Sequence, residues 1–324
     1  MPNFREELEK KGFSPEITTI MLGSWAPATI RQYSSKYKKW LDFCAKHKHC
    51  QTSSNINFLL EFFNYLFQEG QSYSSLLTAK AALINIVTVP NIAQWELDNN
   101  IIRFFKGAYK LRPPKPKYCY TWDVNLVLGH IKKSLNDNSC LSLKNLTIKC
   151  IFLTALISGQ RAQSIHKMDL SLMHKSDNCI EFFFNERLKT DKSSRTSIEI
   201  NKYKDGELCV YSCLCKYMEI TQSLRKTTKL WISFNKPYKS ISIQSVSRWI
   251  KIMLKAANID TAKFSGHSTR HASTSKVAHK GTDINHILQT AGWASECSFT
   301  KFYYKPVATS GKKIFADTVL DQDP

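Results

Sequence analysis

Apolar residues in the first hundred positions recur at helical spacing. In TIRQYSSKYKKWLDFC, residues 29–44, Ile30, Tyr33, Tyr37, Trp40, Leu41 and Cys44 fall mostly at steps of three and four, while Lys36, Lys38 and Lys39 fill the other face. The same spacing predicts a second helix from Thr52–Ser54 through Phe58, Leu59, Phe62, Phe63 and Leu66 to a stop at Gly70. A third runs from Ser72 through Leu76, Ala79, Leu83 and Val87, closed by Pro90, and a fourth carries Ile101, Ile102, Phe105 and Tyr109. Four short helices with short joins make a compact bundle over residues 1–109.

The pattern then breaks at KLRPPKPKY, residues 110–118. Its clustered prolines cannot continue a helix, so the stretch is extended, semi-rigid and basic, the best domain boundary in the chain. Beyond it the spacing predicts helices over about 121–135 and 143–158. Next come two β-prone runs, CIEFFFN and TSIEI, around a polar, basic hairpin tip, ERLKTDKSSR. Helices return at about 209–224 and 241–257 with a short strand, KLWISF, between them. The remainder is helical with turns at Gly266, Gly281 and Gly292. The expected fold is mainly α with a small β-sheet: a helical-bundle N-terminal domain, a linker at 110–118, and a mixed α/β domain over 119–324.

Charge adds a partner to this picture. Forty-six Lys and Arg against twenty-six Asp and Glu give a net charge of +20 and a pI near 9.5. Sixteen basic and nine acidic side chains lie in residues 1–118, thirty and seventeen in 119–324, so the excess is not confined to a tail. Two basic halves suit a clamp around a polyanion such as duplex nucleic acid; the plainer alternative is a ribosome-associated or merely soluble basic protein. The N-terminus, MPNFREELEKKG, has no apolar h-region, and the longest mainly apolar stretch, Cys150–Ile157, is far short of the ~20 residues of a membrane span. A soluble intracellular protein is expected, with its ten cysteines reduced. Neither Cys209, Cys213 and Cys215 nor Cys44, His47, His49 and Cys50 has zinc-site spacing, so no metal is expected there.

Four places in the second half carry candidate chemistry. SGQRAQSIHKMDL places Arg161 just after a Gly159 turn. The hairpin tip holds Lys189 and Lys192. GHSTRHAS sets His267 and Arg270 three residues apart, on one face of a helix. AGWASECSFTKFYYKP holds Trp293 and the adjacent Tyr303 and Tyr304. Taken singly, each has a plain explanation as a solvated helix end, a chance surface pair, loop lysines or ring packing. Together, in this order, they resemble the catalytic array of the tyrosine recombinase (phage integrase) family: Arg, Lys, His-x-x-Arg, His or Trp, Tyr. The N-terminal bundle resembles that family's core-binding domain and residues 119 to about 306 its catalytic domain. SGQRAQ, GHSTRHASTSK and AGWASECSFTKFYYKP are most similar to recombinases of DIRS/Ngaro-type retrotransposons.

The resemblance implies an enzyme that cuts and rejoins double-stranded DNA through a 3′-phosphotyrosyl link, needing neither ATP nor metal. It also implies a homo-oligomer, a tetramer on paired sites, acting in the nucleus. No GxxxxGK[ST] phosphate loop and no carboxylate cluster on strand ends speaks for another chemistry. Arg161 and Arg270 would clamp the scissile phosphate, since a planar guanidinium can bind two non-bridging oxygens at once. His267 would take the proton of the nucleophile, and Trp293 could donate its indole N–H but not shuttle a proton. Lys189, with Lys192 as runner-up, would protonate the departing 5′ oxygen. Tyr303 rather than Tyr304 occupies the reactive place in the FxKFYxKP pattern, and a one-residue shift rotates a helical side chain by ~100°. Many family members carry an acidic residue where this chain has Ser164, with Gln160 and Gln163 flanking the arginine; His271 reads as structural. Two alternatives keep the fold: a domesticated, catalytically silent DNA-binding protein, and a type IB topoisomerase-like nicking-closing enzyme.

Overall fold

The computed structural model describes residues 2–115, 117–185, 197–293 and 296–307. The chain divides into two units, Met1–Lys115 and Pro116–Pro324. The first is all helical: α1 (Pro2–Lys10), α2 (Pro15–Gly23), α3 (Pro27–Lys46), α4 (Ile56–Gln68), α5 (Tyr73–Ile84) and α6 (Asn99–Leu111). The amphipathic stripe of α3 buries Tyr37, Trp40, Phe43 and Cys44, and Trp40 packs edge-on to Phe62 of α4 at 5.1 Å. Leu59, Phe62, Phe63 and Leu66 are wholly buried, each contributing on the order of 2 kcal/mol of apolar burial.

Boundaries differ from the sequence expectation for local reasons. The cap of α4 is Asn55, whose side chain accepts from Phe58 N at 2.9 Å. The third expected helix stops at Ile84, because the chain turns to bond with the segment before α4. Thr88 N donates to Thr52 O at 2.8 Å and Ser54 N to Thr88 O at 2.9 Å. Two helices absent from the expectation, α1 and α2, precede the bundle; Phe4 of α1 enters its core. The fourth helix runs on to Leu111, past the expected end at 109, and Arg112 then donates to Phe67 O and Gln71 O at 3.0 and 2.9 Å. Those bonds hold the start of the basic stretch against the first unit.

In the second unit, α7 (Val124–Ser134) is followed by α8 (Leu143–Ser158), buried on nearly every side from Leu146 to Leu156. A helix apolar all round belongs at the centre of a core, and α8 touches α10 (Val210–Thr221), α11 (Ile243–Ala256) and α12 (Ser268–His279). Of its two lysines, Lys144 lies in the first turn and Lys149 is fully buried. Its three donors meet Leu135 O at 2.6 Å, Asn138 Oδ1 at 2.7 Å and Asn136 O at 3.4 Å, a complete set of acceptors for an ammonium. Lys149→Met leaves those acceptors without their donor and is expected to lower unfolding stability by about 3 kcal/mol. Denaturant melts check this; an unchanged midpoint would contradict it.

After the short helix α9 (Ala162–His166) comes an antiparallel sheet of β1 (Met173–Lys175), β2 (Cys179–Phe183) and β3 (Ser197–Asn201), in that spatial order. Ile180 pairs with Ile200 and Phe182 with Ile198, and all four point into the core. Strand β1 was not expected, being three residues long. The expected strand KLWISF is not one. Leu230, Trp231 and Ile232 are buried in succession rather than alternately, and Leu230 N bonds to Met168 O and Trp231 Nε1 to Ile165 O. The segment is an irregular buried plug with two isolated bridges.

The last described helices are α12, α13 (Ile284–Ala291) and α14 (Glu296–Phe302). Residues after α14 return to the start of the unit, where Thr121 N donates to Pro306 O at 2.9 Å. All ten cysteines are free thiols. No described helix is long and apolar enough to cross a membrane.

Candidate active site

The site is built where α8 ends, α12 begins and α13 and α14 meet. Gly159 closes α8 with φ +57°, and a Cβ there would press to 3.2 Å on both Ala291 and Thr274. Arg161 follows two residues later as the extended N-terminal flank of α9. Gly266 precedes α12, and a Cβ on it would fall 2.8 Å from the backbone oxygen of Ser247 on α11, so only glycine permits that approach. His267 is the next residue.

Helix α12 is polar yet buried: Ser268 through Ser275 are each less than a tenth exposed. Arg270 is among the most buried, at 2% exposure. Its Nη1 donates to Gly159 O and to Ala291 O, the latter at 2.6 Å, tying together the ends of α8 and α13. Its Nε and Nη2 are buried with no hydrogen-bond partner among the described residues, and so is Nε1 of Trp293. The Trp293 ring lies 3.7 Å from the guanidinium carbon, a cation–π stack. Burial and the neighbouring positive charge of Arg161 lower the Arg270 pKa to about 9, partly offset by Tyr303. At neutral pH it stays a cation, and the groups acting on it are another arginine and a phenol. Buried donors left unpaired beside a second cation are costly unless an anion meets them.

Tyr303 follows α14, and its hydroxyl lies 3.4 Å from His267 Nε2, a long contact of the kind that shortens when substrate arrives. Its ring is walled by Trp293 at 4.7 Å, by the Arg270 guanidinium at 5.3 Å and by His271, stacked at 4.5 Å and 19°. Tyr304 points elsewhere: it is 43% exposed, with its ring near His279 and Phe299.

The structure therefore brings together Arg161, His267, Arg270, Trp293 and Tyr303, and leaves Tyr304 apart. Arg161 is close enough to act electrostatically on both His267 and Arg270. Lys189 and Lys192 lie outside the described residues, as does the hairpin tip that carries them. Ser164 is buried on α9, and Gln160 donates to Thr290 O at 2.9 Å, a second tie to the end of α13. Among the described residues no three His, Cys, Asp or Glu side chains gather to hold a metal ion.

Two neighbours of Tyr303 escaped the sequence reading. His271 reads there as structural, yet its ring faces the tyrosine. Ser275, one helical turn further on, bonds to the backbone beside it. The only signal was their place on the helix that carries His267 and Arg270, at a spacing of four.

Both histidines are kept neutral. Loss of solvation, then the charges of Arg270, Arg161 and Lys117, push His267 down to about 4, although the residue as a whole is exposed. Burial, then His267, Lys305, Arg270 and Lys117, push His271 down to about 3. In the unfolded chain both titrate near ~6.5, so below that pH the unfolded state takes up protons that the folded state refuses. Their contribution to stability is complete above pH ~6.5 and falls as pH drops towards about 4 and about 3. Tm is expected to fall between pH ~6.5 and ~5, above the range where carboxylates protonate. A Tm that stays level or rises over that interval would contradict this.

Residues 130–309 match the phage integrase family, more than half of the chain, and the protein belongs to that family, the tyrosine recombinases. No match was found among curated proteins. Solved structures share the fold at low identity. The XerH site-specific recombinase, in a post-cleavage complex with a palindromic difH substrate, aligns with a TM-score of 0.63 and 11% identity, over 94% of this chain and 83% of that one. A lambda integrase dimer bound to a COC′ core site aligns at 0.55 and 14%, over 100% and 79%. The Tn1549 transposon integrase, with transposon right-end DNA, aligns at 0.53 and 13%, over 82% and 85%.

Proposed function

We propose that this chain breaks and rejoins double-stranded DNA in site-specific recombination, through a 3′-phosphotyrosyl intermediate, on behalf of a mobile element. The observation that carries the reading is the buried Arg270, whose two unpartnered donors sit with the indole N–H of Trp293 beside the phenol of Tyr303. A phosphodiester supplies the anion those donors lack, and its charge grows in the transition state, where preorganised donors act most strongly. The net charge of +20 suits a DNA partner, and the similar proteins above are DNA complexes.

In the proposed reaction, the Tyr303 oxygen attacks phosphorus and its proton passes to His267 Nε2. Arg161 and Arg270 hold the non-bridging oxygens. The bond between phosphorus and the 5′ oxygen breaks, and that leaving oxygen takes a proton from a lysine, Lys189 by family resemblance. One phosphodiester replaces another, so the step is reversible without outside energy. Burial first, and then the cations around it, keep His267 unprotonated and able to accept, and an arriving phosphate offsets those cations' charge and raises its proton affinity. By family resemblance the active form is a tetramer on paired sites. The mobile-element assignment, of DIRS/Ngaro type, rests on the resemblance of SGQRAQ, GHSTRHASTSK and AGWASECSFTKFYYKP.

The test uses the full chain and a duplex that it selects from a random-sequence pool, resynthesised with a nick so that cleavage traps the protein. A DNA–protein adduct surviving denaturation, with the modified peptide containing Tyr303, is the expected result. Selective binding without an adduct would overturn the enzymatic reading in favour of a silent DNA-binding protein.

A further inference from the structure

We infer that His271 and Ser275 are positioning residues for the nucleophile: one stacks on the Tyr303 ring and the other pins its backbone. The inference rests on the reading of Tyr303 as the reacting group.

A tyrosine at the end of a helix is poorly placed to wait for a substrate. Tyr303 N still bonds to Phe299 O at 2.8 Å, but carbonyls in a last turn have no partner within their own helix. Ser275 supplies one. Fully buried on α12, its hydroxyl donates to Tyr303 O and accepts from Lys305 N, both at 3.0 Å. Both bonds go to the backbone on either side of Tyr304, so the chain is held just beyond the reactive residue. Four residues earlier on α12, His271 is 7% exposed and lies nearly parallel to the phenol ring. A flat ring against a flat ring restricts the tyrosine's χ angles while leaving its hydroxyl directed at His267.

Plain packing does not account for this pair. An aliphatic side chain would fill the space of His271 without burying an Nδ1 that has no partner among the described residues. What an aliphatic residue lacks is the planar face. The imidazole is also held neutral, so it adds no charge to compete with the arginines for the phosphate. Because His267, Arg270, His271 and Ser275 share one helix, the phosphate-binding and nucleophile-holding groups keep a fixed spacing.

The experiment measures adduct formation in single turnover on the selected, nicked duplex, with binding affinity and Tm followed in parallel. His271→Ala and Ser275→Ala are expected to slow the adduct by roughly 10- to 100-fold, the effect of a nucleophile displaced by about an ångström, with unchanged affinity. His271→Phe, which keeps the face, should recover most of the rate. Ser275→Cys keeps the side chain's size and weakens both bonds, so it should slow the reaction even if the alanine variant folds poorly. Rates within twofold of the parent for His271→Ala and Ser275→Cys would overturn the inference, as would failure of His271→Phe to recover. Tyr303→Phe is run alongside. If it still forms the adduct, the nucleophile assignment itself is wrong, an outcome distinct from failure of the positioning pair.

Discussion

Tyr303→Phe is expected to abolish covalent capture of DNA, by on the order of 10⁴-fold or more, while duplex binding and Tm stay at parental values. The substitution removes a single oxygen. The remaining phenyl ring can still stack on His271 and rest against Trp293, and the two bonds from Ser275 reach backbone atoms that the change does not touch. Nothing else in the site shifts, so lost activity with intact binding isolates the hydroxyl. Tyr304→Phe makes the matching control. Its ring lies by His279 and Phe299, away from the arginines, and the adduct rate should stay within about twofold. Gel-shift affinity and denaturing-gel adduct yield on one nicked duplex read both quantities. The reverse pattern, with Tyr304→Phe inactive and Tyr303→Phe active, would move the nucleophile by one residue and sink the geometric argument.

Arg270 gives the second large effect, with an unusual companion in stability. Arg270→Met and Arg270→Lys should each slow cleavage by about 10²- to 10³-fold. Lysine fails because one ammonium cannot bond two carbonyls and also present a planar pair of donors to a phosphate. Stability should move the other way for methionine. The guanidinium is buried beside Arg161 with two donors unpaired, and replacing a buried, uncompensated cation by an apolar side chain is often neutral or stabilising. The lost bonds to Gly159 O and Ala291 O offset much of that gain, and with the two effects opposed Tm of the free protein is expected to hold or rise only slightly. A large fall in Tm with cleavage preserved would mean that Arg270 is a structural strut.

The amphipathic helices were legible because their burial follows their spacing: α3, α4 and α11 each bury one stripe. The segment KLWISF misled because Leu230, Trp231 and Ile232 are buried in succession, and a run of that kind carries no period to separate strand from plug. Helix α2 was missed because its sequence lacks a strong stripe, with Ile17, Ile20 and Met21 exposed, and α1 because its nine residues offer only Phe4 and Leu8 beyond the proline as apolar positions. At the site, the spacing of His267 and Arg270 and the family pattern named the residues that the fold gathers. The depth of α12 could not be read. STRHASTS looks like a solvated surface helix, yet every residue of it is buried: some of its polar groups are met by backbone groups and by side chains from distant segments, while others on Arg270 and His271 are left open. Local pattern and tertiary placement disagree where function demands it. For the same reason His271 and Ser275 could not be told from filler: their partners are some thirty residues away and depend on the turn at Gly292.

The polar interior of α12 also bears on how such an enzyme could be redirected to new targets. The buried stretch Ser268–Ser275 carries Arg270, adjoins His267 and packs against Tyr303, so a change there disturbs several contacts at once. Mutational libraries seeking altered sequence preference should leave that stretch invariant and place their diversity on exposed side chains. Deep mutational scanning would then find 267–275 the most intolerant window in the gene, with second-site suppressors concentrated in the ends of α8, α13 and α14 that enclose it.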